Sequence, residues 1–394
     1  MKKRNEYCVS AFFDGFNWHR GGLRFQQYGN GSYKILPDPG AKNLSTIALS
    51  EFINMHAHLS HSPRYDNDRG IKVLDRKPNN GESLSFEDRI LISSTESASK
   101  GVNFVCSSIR PEDVDNFIKI YNDIPIHIIP FLSIKNYHCP KIILSCLDKL
   151  NGFFNNLKIP IKAGFLLHSL YNVNEKNMIL YCNYAVKNDI VIALHFFEWE
   201  GELDFFRRAN KSNNPDVYYK MKSTWNVERL CAFLPKLINS CAYKILIHCN
   251  YIPHELIKIL DNRTTLKVLC PTSSIRLGNR LQLDFDPSST VFSTDGYFTN
   301  MGYSLITEIR TFNLISQLNR AENVPERLLS GITGVPKNFV VSSGLVKQPI
   351  FINKLENINF YSKLCGSYSD GNEGFDLINY FDGFQKVNIH EQIS

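Results

Sequence analysis

The sequence predicts an α/β protein centred on a (β/α)8 TIM barrel, with a small β-sandwich-like domain assembled from both chain termini. Three observations carry that prediction. Eight short apolar runs recur between residues 49 and 339, separated by longer segments whose apolar residues fall three or four apart. Alternation of this kind is the pattern of a parallel sheet closed on itself and covered by helices. Residues 1–48 and 340–394 have another texture, with short aromatic runs between close turns, and are expected to form one composite β domain.

The first 48 residues are rich in Gly, Asn, Tyr and Phe, with turn signals at Asp14-Gly15, Gly21-Gly22 and Pro37-Asp38-Pro39-Gly40. The eight runs then follow as Phe52 to Met55, Val102 to Ser107, Ile124 to Leu132, Ile161 to His168, Ile190 to His195, Lys244 to His248, Leu266 to Cys270 and Thr290 to Thr294. Helical spacing marks Glu112 to Asn122, Cys139 to Leu157, Glu175 to Lys187, Val227 to Ile238, Pro253 to Leu260 and Ser304 to Leu318. Two stretches, Ser60 to Asp88 and Glu198 to Ser223, are polar without clear period and read as long loops of the lid or binding type. Strand-like runs return at Pro349 to Ile352 and Val387 to Ile389, around a Gly/Ser/Asn loop at Gly366 to Gly374.

Composition narrows the function classes. Of 394 residues, 43% are hydrophobic and 21% charged, the balance of a folded protein with a sizeable core. The 44 basic and 38 acidic residues leave a net charge of +6, but Lys and Arg are scattered and no run tracks a nucleic-acid backbone. A nucleic-acid partner is therefore not expected. No apolar run approaches the roughly 20 residues of a membrane span, and the basic start Met1 to Glu6 is not followed by a signal core. Ten cysteines without a Cys-x-x-Cys pair suit free thiols in a reducing compartment. The expectation is a soluble cytoplasmic protein acting on a small molecule, without a membrane partner.

The chemistry lies at the ends of the runs. The first ends in His56 and His58, the fourth in His168, the fifth in His195, the sixth in His248 and the eighth at Asp295. Barrel enzymes place their working residues at the C-terminal ends of the strands. One histidine there means little; five strand ends carrying His or Asp are a constellation. Neutral imidazoles with a carboxylate suit Zn²⁺, with Fe²⁺ also admissible. Such an ion with an open position lowers the pKa of water toward neutrality and needs a separate acid/base to serve the leaving group. Glu198, three residues after His195, fits that role. Glu200 and Glu202 read as solvated loop carboxylates, and His61 as a loop residue beyond the strand. Trp199, Tyr251, Tyr297 and Phe298 are candidates to stack on a flat ring. Arg64, Arg207, Arg208 and Arg276 are weaker candidates to meet an anionic group.

The set resembles the amidohydrolase superfamily, in the branch of purine-type deaminases and triazine hydrolases. The most specific stretch is Ile247-His248-Cys249-Asn250-Tyr251, then Cys270-Pro271-Thr272-Ser273-Ser274-Ile275-Arg276-Leu277-Gly278, then Ser293-Thr294-Asp295-Gly296 and Thr299-Asn300, with Glu308 on the next helix. These are similar to the family's His-Cys, Cys-Pro-x-Ser-Asn-x-x-Leu, Thr-Asp-Gly and Ser-Asn motifs. His195-Phe196-Phe197-Glu198 matches the deaminase His-x-x-Glu, and the spacing after it most resembles aminofutalosine-type deaminases.

The resemblance implies one zinc ion per chain held by His56, His58, His195 and Asp295. It implies that His248 and Asp295 orient and deprotonate the attacking water, that Glu198 relays a proton, and that His168 contacts substrate. The implied reaction is deamination of a purine- or nucleoside-like ring, with cleavage of an amide, a cyclic C–N or a C–halide bond as the alternative, and a metal-binding homologue without turnover as a third reading. A homodimer follows by analogy only. The chain departs from the family at Ser274, where Asn is usual, in the loop Ser60-His61-Ser62-Pro63-Arg64-Tyr65, and in lacking the usual C-terminal signature near residues 340 to 360.

Overall fold

The computed structural model describes residues 3–28, 33–42, 44, 46–61, 84–240, 243–260, 263–283, 286–297, 299–300, 302–320, 325–346, 359–363 and 384–386. The loop past His61, with Arg64, lies outside the described residues, as do Phe298, the runs Pro349 to Ile352 and Val387 to Ile389, and the loop Gly366 to Gly374.

The amino-terminal segment forms β1 (Lys3–Phe13), β2 (Trp18–Tyr28), β3 (Tyr33–Pro37) and β4 (Thr46–Leu49). Eight parallel strands follow: β5 (Phe52–Ala57), β6 (Val102–Ile109), β7 (His127–Ile134), β8 (Gly164–Leu167), β9 (Ile192–Phe196), β10 (Lys244–His248), β11 (Thr265–Leu269) and β12 (Thr290–Phe292). The carboxy-terminal segment adds β13 (Asn359–Lys363) and β14 (Phe384–Lys386). The two termini share one six-stranded sheet, ordered β14-β13-β4-β1-β2-β3, with β13 antiparallel to β4.

Among the described residues, twelve helices cover the barrel. They are α1 (Phe86–Ser99), α2 (Val114–Ile120), α3 (Pro140–Asn156), α4 (Glu175–Lys187), α5 (Glu200–Phe206), α6 (Pro215–Thr224), α7 (Val227–Ile238), α8 (His254–Ile257), α9 (Pro271–Arg276), α10 (Leu305–Leu318), α11 (Pro325–Ser330) and α12 (Gly334–Ser342). None is long and apolar enough to cross a membrane. Several starts are fixed by a side chain that accepts from the first turn: Ser85 from Asp88 N, Asn174 from Asn177 N, Asn226 from Arg229 N and Ser304 from Thr307 N. The barrel strands are buried along both faces, from Phe52–Ala57 through Thr265–Leu269, because helices cover the outer face and side chains fill the inside.

The stretch Glu198 to Ser223, expected to be a loop, instead carries α5 and α6. Their inward faces are Gly201, Glu202, Leu203 and Phe205 in one, and Val217, Tyr218 and Met221 in the other. A buried glutamate counts as polar, so the helical period is hidden. Helix α1 was also outside the expected set, for a related reason: its buried face holds Ser93, Ser94 and Ser97 beside Phe86 and Ile90.

The ladder of eight runs from β5 round to β12, and side chains stitch its two ends together. Asn54 Nδ2 donates to Thr294 Oγ1 at 2.8 Å, and Ser293 Oγ accepts from Met55 N at 3.0 Å. Beyond β12, Asp295 N donates to His56 O at 3.2 Å and His58 N to Asp295 O at 3.3 Å, a single parallel bridge between Ala57 and Asp295. The first and last strands therefore meet at the residues expected to carry the chemistry.

Candidate active site

The histidines and Asp295 converge at the C-terminal rim of the barrel. His56 is the penultimate residue of β5 and His58 the first beyond it; His168 follows β8, His195 lies within β9, His248 ends β10 and Asp295 lies three residues past β12. Ring centroids are 4.7 Å apart for His56 and His58, 4.9 Å for His56 and His195, 4.8 Å for His195 and His248, and 4.7 Å for His168 and His195. Asp295 Oδ1 lies 3.5 Å from Nε2 of both His56 and His58. Glu198 spans the other side, with Oε2 3.3 Å from His195 Nδ1 and Oε1 3.8 Å from His248 Nε2.

The backbone turns sharply to aim these groups. Phe197 (φ 47°), His248 (φ 71°), Cys249 (φ 55°) and Asp295 (φ 60°) all adopt the left-handed conformation that L-residues avoid. Strain of about 1–3 kcal/mol per such residue is typical, and it persists only where surrounding contacts impose it. Those contacts are visible. Ser273 Oγ and Thr299 Oγ1 each donate to Asp295 Oδ2 at 2.7 Å, leaving Oδ1 to the imidazoles. Ser274, standing where the motif it resembles has Asn, donates to Asn250 Oδ1 at 3.0 Å, and Asn250 Nδ2 donates to the Glu198 carbonyl at 3.3 Å. This departure therefore leaves the Glu198 segment tethered.

Burial sets the protonation states. It pushes His58, His168 and His195 well below the ordinary imidazole range, helped by neighbouring imidazoles, so all three are neutral. Burial raises the Asp295 carboxyl, but the imidazoles facing it, His56 first and then His58 and His248, outweigh burial and hold Asp295 well below the carboxylate range. Glu198 goes the other way: burial raises it, partly offset by His248.

Neutral imidazole is the form that binds metal. His56 Nε2, His195 Nε2 and both ring nitrogens of His248 are buried without a hydrogen-bond partner, a condition native interiors seldom tolerate. Ligand atoms of His56, His58 and His195 lie within 4.8 Å of one another, as do those of His195, Glu198 and His248. With Asp295 Oδ1 3.5 Å from the first two, the donor set fits a borderline-soft cation such as zinc.

Two site residues escaped the sequence reading. His61 is half-buried and stacks flat on His58, with centroids 4.5 Å apart and 2° between planes. Glu202 is fully buried; its Oε2 accepts from Trp199 N at 3.3 Å, and burial and Glu198 raise its carboxyl well above the usual range. Its three-residue spacing from Trp199 was the available signal, as an N-terminal cap of α5. Arg207, Arg208 and Arg276 are exposed, and Arg208 pairs with Glu228 at 3.8 Å. Trp199 and Tyr251 are buried, with Arg280 lying 4.7 Å over the Tyr251 ring.

No known protein-family profile matches the chain, and no curated protein matches it. Solved structures do. The aminofutalosine deaminase of Helicobacter pylori, in complex with methylthio-coformycin, superposes with a TM-score of 0.69 at 17% identity, covering 98% of this chain and 100% of that one. An adenosine deaminase from Xanthomonas campestris with bound zinc gives 0.71 at 14%, covering 95% and 88%. A triazine hydrolase from Arthrobacter aurescens gives 0.65 at 13%, covering 95% and 91%. The chain thus shares the barrel fold of these deaminases and of the triazine hydrolase.

Proposed function

We propose that this chain is a metal-dependent amidohydrolase that hydrolytically deaminates an amino-substituted heteroaromatic ring of purine or nucleoside type. One zinc ion is the preferred cofactor and iron(II) the alternate. The reading rests on one observation above all: the unpartnered nitrogens of His56 and His195 meet His58 and Asp295 at one point of the rim, with Glu198 facing them. His56, His58, His195 and Asp295 would hold the ion. When bound, it supplies Lewis acidity that brings the pKa of water toward neutrality.

The protein's own residues do the rest. Asp295, held ionised, and His248 orient the attacking water and take its proton. Glu198, whose carboxyl is raised by burial, gives a proton to the ring nitrogen and then conveys one to the departing amine. Water replaces the exocyclic amine at one ring carbon and ammonia leaves. His168, beside His195, contacts the substrate. The adenosine and aminofutalosine deaminases among the similar structures support a purine-type substrate. The triazine hydrolase supports a second reading, in which the same site breaks another C–N or a C–halide bond.

Metal analysis followed by an ammonia-release screen over purines, nucleosides, pterins and triazines tests the proposal. About one equivalent of zinc per chain and turnover on an amino heterocycle are expected. Bound metal without hydrolysis across that panel would show a binding protein instead. Stoichiometric metal at native affinity in His195→Ala would show that the ligand set is wrong.

A further inference from the structure

Glu198 hangs between two backbone peptides, and hydrogen bonds hold both of them. The peptide before it presents the Phe197 carbonyl, which accepts from Tyr251 N at 2.9 Å. The peptide after it is gripped at both ends. Its carbonyl, that of Glu198, accepts from Asn250 Nδ2 at 3.3 Å, and its N–H, that of Trp199, donates to Glu202 Oε2 at 3.3 Å. Peptides are planar, so fixing the two planes fixes φ and ψ of Glu198 and the direction in which its side chain leaves the backbone. That direction carries Oε2 to His195 Nδ1 at 3.3 Å and Oε1 to within 3.8 Å of His248 Nε2.

The holders are themselves fixed. Ser274 Oγ donates to Asn250 Oδ1 at 3.0 Å, which leaves Nδ2 to face the Glu198 carbonyl, and Arg280 Nε donates to the Asn250 carbonyl at 2.7 Å. Glu202 sits in α5 and is fully buried, a costly place for a carboxyl, and its Oε1 meets no hydrogen-bond partner among the described residues. A glutamate that only capped α5 could do so from water. The grip also has something to resist. Phe197, immediately before Glu198, is in the left-handed conformation (φ 47°), and backbone of that kind relaxes when its surroundings let go.

We propose that Glu202 and Asn250 are positioning residues that clamp the Glu198–Trp199 peptide and thereby aim the Glu198 carboxyl at the site, with Ser274 setting the Asn250 amide. The catalytic consequence rests on the hydrolase reading above; the clamp rests on the hydrogen bonds to one peptide. Hydrogen exchange read by mass spectrometry and steady-state kinetics, both on the zinc-loaded protein, test the two parts separately. Glu202→Met and Asn250→Leu should each quicken exchange at Trp199 by about tenfold or more, with zinc content unchanged. Each should lower kcat by about 10- to 100-fold and leave KM within about twofold. Glu202→Gln, whose amide oxygen can still accept from Trp199 N, should recover most of both losses. Added to Glu198→Gln, Glu202→Met should change kcat by less than about twofold, because aiming a group already disabled gains nothing. A merely structural role would subtract its full factor again, and that result overturns the proposal. Unchanged exchange at Trp199 in Glu202→Met overturns it as well. Should Glu202→Met fail to fold, Ser274→Ala removes a single hydroxyl and carries the same test, with faster Trp199 exchange and a kcat loss of about 3- to 10-fold expected, and no change in either overturning the clamp. Faster exchange in a protein that turns over no amino heterocycle would leave the clamp standing and sink the hydrolase reading; turnover that neither Glu202→Met nor Asn250→Leu slows would do the reverse.

Discussion

The indole Nε1 of Trp225 donates to the carbonyl of Leu170 at 2.7 Å and reaches that of Val173 at 3.2 Å. Trp225 closes α6, and Leu170 lies two residues beyond His168, so one buried indole ties the loop after β8 to the helical flank. Trp225→Phe keeps the ring but leaves both carbonyls without that donor. A loss of about 1–3 kcal/mol in denaturant-measured stability is expected, together with a rise in KM larger than any fall in kcat.

Glu198→Gln preserves shape and removes the transferable proton. Turnover should fall by about 10²- to 10⁴-fold while zinc content by elemental analysis is unchanged. Because burial raises the Glu198 carboxyl, the wild-type activity limb that falls with rising pH should lie above the ordinary carboxylate range. Unchanged turnover in the Gln variant would remove Glu198 from the mechanism.

Asp295 presents Oδ1 to the imidazoles because Ser273 and Thr299 hold Oδ2. Thr299→Val removes one of those hydroxyls at nearly constant volume. Zinc affinity, read by competition with a chromophoric chelator, should weaken by about 10- to 100-fold, and Thr299→Ser should recover most of it.

Glu308 links three segments: its carboxylate accepts from Thr272 N at 2.9 Å and from Asn300 Nδ2 at 2.7 Å. Burial raises its pKa from 4.5 to about 7, opposed by those hydrogen bonds. The folded state then binds this proton more tightly than the unfolded chain. The resulting stabilisation is full below about pH 4.5 and disappears as pH rises through about 7. Compared with Glu308→Gln, the wild type should lose up to about 3 kcal/mol across that window, measured by urea denaturation at a series of pH values. Parallel curves for the two proteins would contradict the assignment.

Gly296 follows Asp295, and a Cβ there would come within 2.7 Å of His61 Nδ1 and 2.8 Å of His58 Cβ. Gly296→Ala must therefore displace one imidazole or the other. At least about a tenfold loss of zinc affinity is expected, with little change in the far-ultraviolet circular dichroism.

The barrel was legible because its strands are buried on both faces and stop abruptly. Lys244 to His248 was read as a run and is a strand with the same bounds. The fourth run was read as Ile161 to His168, whereas the strand is Gly164–Leu167 and Ile161 makes only a bridge to Val346. Polar residues at the ends of such runs stand out, which is how His56, His58, His195, His248 and Asp295 were found together. Groups whose setting depends on distant chain did not stand out. Glu202 looks solvated until α5 turns it inward, His61 lies beyond its strand until it folds back on His58, and the serines of α1 conceal an inward face.

The join between β5 and β12 has a further consequence. Asn54 and Thr294 lie 240 positions apart in the chain, yet their side chains share a hydrogen bond at 2.8 Å. An ion held by His56 and His58 from one edge and Asp295 from the other would act as a clasp, closing the ring across its longest loop. Loss of the clasp should be felt there before anywhere else. Amide exchange at Met55, His58 and Asp295 should quicken on chelation while β7 and β8, on the far side, stay protected.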